Sequence, residues 1–426
     1  MLDRTQKPAF GRIEDIKLME PKVHHLDNGL AVFSIDAGAQ EVMQIELVFG
    51  VGSSTPDKKL ITSTAVKLLT EGTKKHSAQE IAEAVDFFGA YIQTEVAHDE
   101  SSLSLYTLTK HEKKTLATLA EVYSEPIFPH RELDTYLLKT KQEMLVNEEK
   151  VAYLGSKAFN AALFGADHPY GRSADVQDYD DVSAEELLSF HQDFILDRIK
   201  YIFVSGKLSE NTISELNKRF GQSPRKELDH AEITVNNLQE KAVHIEKADA
   251  VQNAIKIGRV LFNRTHPDFI GLQILSTVLG GYFGSRLMAN IREDKGYTYG
   301  VGAGMVSLRH SGYLSISTEV GSSVCKAATE EIFLEIERLR KEPIPTSELE
   351  LVKNYMLGSV LKSVDGPFKI AGKWKGYMKY DLGADAHQQL IRQIKAITPE
   401  KLRELSNTYL QRADLTLVTV GRSLSE

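Results

Sequence analysis

The residues best suited to chemistry lie in one segment, Leu279-Gly280-Gly281-Tyr282-Phe283-Gly284-Ser285-Arg286-Leu287-Met288-Ala289-Asn290-Ile291-Arg292-Glu293-Asp294-Lys295-Gly296-Tyr297-Thr298-Tyr299-Gly300. Ser285 has the side chain of a helix N-cap, so Arg286–Arg292 reads as a short helix. Gly296 suits the left-handed residue that ends a helix. Tyr297–Gly304 then reads as a strand, which puts Tyr297 and Tyr299 on one face. An arginine at a helix end and a tyrosine on the next strand can converge on one point. Both donate hydrogen bonds, and arginine adds a fixed charge. Arg292 and Tyr299 would thus hold a peptide carbonyl and the oxyanion it becomes. Residue types alone leave a plainer alternative open, with Arg292 paired to a surface carboxylate and Tyr299 packed.

Other chemistries find little support. A helix-borne zinc pair needs two histidines at i and i+4. Of the 13 histidines only His24 and His25 are closer than ten residues, and neighbours on a strand point to opposite faces. No His-x-x-Glu-His or His-Glu-x-x-His occurs. Gly-x-Ser-x-Gly and the phosphate-loop pattern are also missing. Gly300-Val301-Gly302-Ala303-Gly304 has the wrong spacing for a dinucleotide loop, and no helix is expected after it. His168-Pro169-Tyr170-Gly171-Arg172 reads as a packed surface turn.

The secondary structure around these residues is written twice in the chain. Glu125-Pro126-Ile127 with Glu132-Leu133 recurs as Glu342-Pro343-Ile344 with Glu348-Leu349, at offsets of 217 and 216. Val182-Ser183 with Leu187 recurs as Ile397-Thr398 with Leu402, and Phe203-Val204-Ser205-Gly206 as Val418-Thr419-Val420-Gly421, both at 215. Gln44–Val48 resembles Ala254–Gly258 at 210. Ordered matches at near-constant spacing mean one unit of about 200 residues present twice. We expect domains at 1–221 and 242–426, joined by a polar linker at 222–241 after the amphipathic Ser209–Phe220. Within the first copy, Ala31–Asp36, Met43–Val48, Tyr91–Ala97, Ser101–Thr109 and Lys200–Ser205 read as strands. Asp57–Thr70 reads as a helix with Ile61, Ala65, Leu68 and Leu69 on one side, and Ser77 with Glu80 as a capping box opening Ala78–Phe88. Runs of strands with segregated helices predict an α+β fold, a largely antiparallel sheet backed by helices in each copy.

Bulk properties narrow the setting. The chain has 426 residues and a net charge of −8, which leaves no cationic excess for nucleic acid. A single cysteine, Cys325, excludes an intrachain disulfide and a cysteine-rich metal site. The first 22 residues lack a signal-peptide core and read as a polar, extended arm. No apolar run approaches the roughly 20 residues of a membrane span. We expect a cytoplasmic protein that binds neither nucleic acid nor membrane.

Gly-Gly-x-x-x-Ser-Arg-Leu followed by Arg-Glu-x-x-Gly-x-x-Tyr resembles the second-domain signature of the pitrilysin/insulinase metallopeptidases, which include mitochondrial processing peptidase. His25-Leu26-Asp27-Asn28-Gly29-Leu30 is similar to the family's lead into its first strand, and His168-Pro169-Tyr170-Gly171 to a recurring family turn. The resemblance covers nearly the whole chain. It implies His-x-x-Glu-His on a helix shortly before a Gly-Thr, here Gly72-Thr73, so the three positions fall on Ser63, Val66 and Lys67. Valine cannot act as a general base, and Lys67 puts a cation where zinc must sit. The family's third ligand falls in Glu143–Lys150, where Glu143, Glu148 and Glu149 are available. The metal half is degenerate, whereas Arg292 and Tyr299 match the retained half.

The combination resembles the non-zinc subunits of members that divide the site between two chains. It implies a chain inactive alone and without a cofactor of its own. Its partner would be a zinc-bearing paralogous subunit of similar size, and the pair would form a chamber for unfolded peptides. Two other readings stand beside it. One is a homodimeric, non-enzymatic peptide-binding or assembly protein, an outcome that respiratory-complex core subunits resemble. The other is an independent enzyme with an unrecognised site.

Overall fold

A computed structural model describes residues 16–55, 58–226, 233–235 and 240–423. Its first sheet uses β1 (Lys22–His25), β2 (Ala31–Asp36), β3 (Val42–Phe49), β4 (Tyr91–Val96), β5 (Ser101–Leu108) and β6 (Ile199–Gly206). The order is β1-β2-β6-β3-β5-β4, antiparallel except for the β2–β6 pair. The second sheet uses β7 (Ala242–Glu246), β8 (Gln252–Leu261), β9 (Val301–Ser307), β10 (Gly312–Gly321) and β11 (Thr416–Gly421). Its order, β7-β11-β8-β10-β9, repeats that of the first sheet without β1, and again only one pair, β7–β11, is parallel.

The first-half helices are α1 (Ile61–Lys67), α2 (Ala78–Asp86), α3 (Glu112–Ser124), α4 (His130–Glu148), α5 (Val151–Phe164), α6 (Ala184–Phe190) and α7 (Thr212–Phe220). Those of the second half are α8 (Phe269–Ser276), α9 (Cys325–Lys341), α10 (Thr346–Lys362), α11 (Pro367–Met378), α12 (Asp385–Ala396) and α13 (Pro399–Tyr409). α4 and α10 start 216 residues apart, as do α5 and α11. The expected α+β architecture is therefore what the chain adopts. The predicted helix start at Asp57 and much of the predicted linker, 227–232 and 236–239, lie outside the described residues.

Local physics accounts for the elements near the first core. β3 alternates, so Met43, Ile45, Leu47 and Phe49 enter the core beneath α1, α3 and α6. The predicted stripe Ile61, Ala65, Leu68 and Leu69 is buried in that core. α1 itself is shorter than expected, with a 3₁₀ turn at Leu68–Thr70. α2 opens with the Ser77–Glu80 capping box.

The two halves exchange one helix each. α5, from the first half, packs Phe159, Ala162 and Leu163 onto Ala254, Val418 and Val420 of the second sheet. Small residues let it approach: a Cβ on Gly258 would lie 2.8 Å from the Phe159 ring, and one on Gly155 3.3 Å from Ala254. α11, its equivalent from the second half, packs Ile370, Ala371 and Trp374 onto Ile35, Val48, Tyr201 and Phe203 of the first sheet. Each half thus completes the other's hydrophobic burial. The described part of the N-terminal arm crosses the same junction. Ile16 sits in the second core, and the Trp374 indole donates to the Met19 carbonyl at 2.7 Å.

A buried polar knot lies beside this exchange. Asp99, with 2% of its side chain exposed, accepts from Lys379 Nζ at 2.7 Å, Tyr170 Oη at 2.6 Å and the Arg309 amide at 2.9 Å. Burial opposes the Asp99 charge, but Lys379, Tyr170 and the Arg309 amide together outweigh it and hold the carboxyl below its ordinary range. Glu46, nearly buried on β3, pairs with Lys375 of α11 at 2.5 Å. The His-Pro-Tyr-Gly turn is therefore part of the junction between halves: its Tyr170 is buried there.

Candidate functional site

α1 carries Ser63, Val66 and Lys67, where the resemblance would place a zinc motif. It begins at Leu60, whose φ of 68° is strained for a residue with a Cβ. Ser63 Oγ turns back to the Leu60 carbonyl at 2.9 Å. Val66 is fully buried in the first core. Lys67 is exposed, and its ammonium donates to the Thr94 carbonyl of the edge strand β4 at 2.9 Å. The three candidate third ligands face lysines: Glu143 lies 3.9 Å from Lys139, Glu148 3.2 Å from Lys157 and Glu149 2.7 Å from Lys247. Among the described residues no three histidine, cysteine or carboxylate side chains come together as a metal site. A hydroxyl, a buried isopropyl group and an ammonium do not fit zinc.

The Arg/Tyr segment departs from the sequence expectation in three ways. Ser285 is fully buried and its hydroxyl has no hydrogen-bond partner among the described residues, so it does not cap the helix. The helical segment does begin after it and widens into a π-helical turn, Met288–Asp294, which holds Arg292. The strand starts at Val301 rather than Tyr297. Thr298 explains the delay: its hydroxyl donates to the Glu319 carbonyl at 2.7 Å and accepts from the Gly300 amide at 3.1 Å, holding a turn ahead of β9. Tyr297 and Tyr299 therefore do not share a strand face. Tyr297 packs on the second core, whereas Tyr299 is 94% exposed. Gly296 does take the expected left-handed conformation, φ 65°, and the Tyr297 amide closes the helix on the Ile291 carbonyl at 2.9 Å.

Tyr299 borders a cavity of about 520 Å³ between α5, β8 and β10. Ser156 of α5, Lys256 of β8 and Ser317 of β10 share its wall. Strand alternation sends Ile255 and Ile257 into the second core and Lys256 to the α5 side. Burial lowers the Lys256 pKa, and the Glu319 charge opposes that shift only in part. Lys256 is a second donor that sequence reasoning missed. The available signal was a lone lysine in the apolar run Ala254–Gly258. Arg292 does not line this cavity. Its guanidinium lies 4.5 Å from the centre of the Phe283 ring, and among the described residues it makes no salt bridge. The cavity can hold an extended polar segment against Tyr299 and Lys256, both hydrogen-bond donors.

Models of one family match both halves: the insulinase family (peptidase family M16) at residues 31–170 and the peptidase M16 inactive domain at 181–356. An uncharacterized zinc protease YmxG of Bacillus subtilis is 24% identical over 90% of this chain and 94% of its own length. A non-peptidase homolog YmxG of Helicobacter pylori is 22% identical, with 88% of each chain covered. Among solved structures, a peptidase M16 inactive domain from Pseudomonas fluorescens superposes with a TM-score of 0.86 at 21% identity, covering 96% of this chain and all of that one. A protease from Helicobacter pylori follows the same fold, with a TM-score of 0.83 at 19% identity over 94% of this chain and 99% of that one. With both halves matched and the strand order repeated, the chain belongs to the insulinase family of peptidases, family M16.

Proposed function

We propose that this chain is the non-zinc subunit of a two-chain metallopeptidase acting on unfolded peptides in the cytoplasm. The partner would be a paralogue of similar size that carries His-x-x-Glu-His and the zinc. Arg292 and Tyr299 would bind the scissile carbonyl and stabilise its oxyanion. One observation carries the reading. Tyr299 stands 94% exposed at a cavity mouth, its hydroxyl without a partner among the described residues, on a chain with no His-x-x-Glu-His and with Ser63, Val66 and Lys67 where the resemblance would put it. An exposed tyrosine held by a turn, with a cation seven residues before it, suits a role toward something the chain itself does not supply.

A second reading, a homodimeric peptide-binding or assembly protein, is favoured by the position of Arg292 over Phe283 and outside the cavity. The non-peptidase name of the Helicobacter relative points the same way. The test is gentle purification from native cells, identification of what co-purifies, and peptide cleavage with and without chelator. A stoichiometric His-x-x-Glu-His partner and chelator-sensitive cleavage support the two-chain peptidase. A zinc-free homodimer without cleavage supports the second reading and refutes the first.

A further inference from the structure

A separate cavity of about 170 Å³ opens between α8, α11, α12 and the loop after β8, and it shares no lining residue with the Tyr299 cavity. Its wall carries two cations, Arg264 from the loop and Lys373 from α11. Arg264 is fixed in place. Its Nη1 donates to the Gly376 carbonyl at 3.2 Å, and its guanidinium rests 5.0 Å from the centre of the Tyr380 ring. Its Nε is buried without a hydrogen-bond partner among the described residues. Lys373 lies over the Tyr377 ring, 5.3 Å from its centre, and has no carboxylate partner among the described residues. Behind Tyr377 stands His387, with its Nδ1 3.2 Å from the tyrosine hydroxyl.

The cluster is costly as it stands. Burial, and then the Arg264 charge, push the Lys373 ammonium down to about 8. Two like charges in a partly desolvated cavity repel each other, and neither has a counter-ion among the described residues. One anion between them would remove both penalties. Gln273 and Gln393 add polar groups to the lining, and Phe269 and Ile270 add apolar ones.

We propose that this cavity binds a small organic anion, its carboxylate or phosphate head between Arg264 and Lys373 and its apolar body against Phe269 and Ile270. The site lies on α11, whose other face fills the first sheet. A bound anion would therefore fasten the exchanged helix to its own half. The inference does not depend on the peptidase reading.

The test uses the full chain with three probes, inorganic phosphate, butyrate and butyl phosphate, each against chloride at matched ionic strength. At least one probe should raise Tm by about 2–4 °C at saturation. Lys373→Met and Arg264→Gln should each abolish the shift. A second readout needs no variant: acetylation of Lys373 at pH 8, followed by peptide mass spectrometry, should slow roughly tenfold at ten times the Kd of the binding probe. Response to butyrate alone assigns a carboxylate, to inorganic phosphate a phosphate, and to butyl phosphate alone a head that needs its apolar body. Equal shifts in wild type and variants would mean a general salt effect and overturn the proposal. So would the absence of both a Tm shift and protection for all three probes.

Discussion

Asp99→Ala should be among the most damaging single polar changes in this chain. The carboxylate is 2% exposed, and its Lys379 partner is 17% exposed at 2.7 Å. It also accepts from Tyr170 Oη and the Arg309 amide. Charge-assisted hydrogen bonds contribute about 1.5–3 kcal/mol each, but three on one group do not add. Removing one member of a buried pair costs about 3–5 kcal/mol, because the other charge stays behind unpaired. We take that range. It is a large share of a typical stability of about 5–15 kcal/mol.

The assay is urea unfolding of the full chain in a double-mutant cycle with Lys379→Met. The coupling energy should exceed about 1 kcal/mol, as expected for residues in contact. The pH dependence has a definite sign. The folded Asp99 pKa is lowered, so its contribution is complete above the unfolded value of about 3.9 and is lost as pH falls through the folded value. Wild type should therefore exceed Asp99→Asn above about pH 5, and the margin should close as pH falls through the folded Asp99 value. A loss below about 1 kcal/mol for Asp99→Ala, or zero coupling to Lys379, would refute the claim that this knot joins the halves.

Three further outcomes are expected. In an assembled peptidase pair, Arg292→Ala and Tyr299→Phe should each lower cleavage about 10²–10³-fold, the scale of losing an oxyanion donor; wild-type rates in both would remove them from the mechanism. Val66→Glu should cost about 3 kcal/mol or more at pH 7, because the carboxylate would enter the apolar first core. Burial raises the folded pKa of the new glutamate, so its deficit in urea unfolding should grow as pH rises above about 4.3, and an unchanged midpoint at pH 7 would place the residue outside the core. Residues 1–232 and 233–426 made separately should each fail to show a cooperative thermal transition, since each lacks the helix that covers its sheet. A sharp transition in either fragment would show that the exchanged helices are dispensable.

Local and repeated features follow from the residues alone. Matching runs at offsets near 215 are one fold written twice, and the strand orders of the two sheets follow. Alternation in Met43–Phe49 and the stripe Ile61–Leu69 set which side chains are buried, because the periods of strand and helix fix their faces. The absence of His-x-x-Glu-His is also a statement about residue types alone. What the sequence could not specify is which surfaces meet. α5 and α11 are amphipathic wherever they pack, and nothing in them says that each covers the other half's sheet. Asp99 falls between the runs Tyr91–Ala97 and Ser101–Thr109, and only the docking of α11 buries it against Lys379. Tyr297 and Tyr299 read as one strand face until the Thr298 hydroxyl took the Glu319 carbonyl from a residue 21 positions away. Arg264 and Lys373 are distant in the chain and share a cavity only after folding. Propensity and periodicity act over a few residues, whereas charge pairing and burial are decided by whatever the chain's tertiary packing brings within a few ångströms.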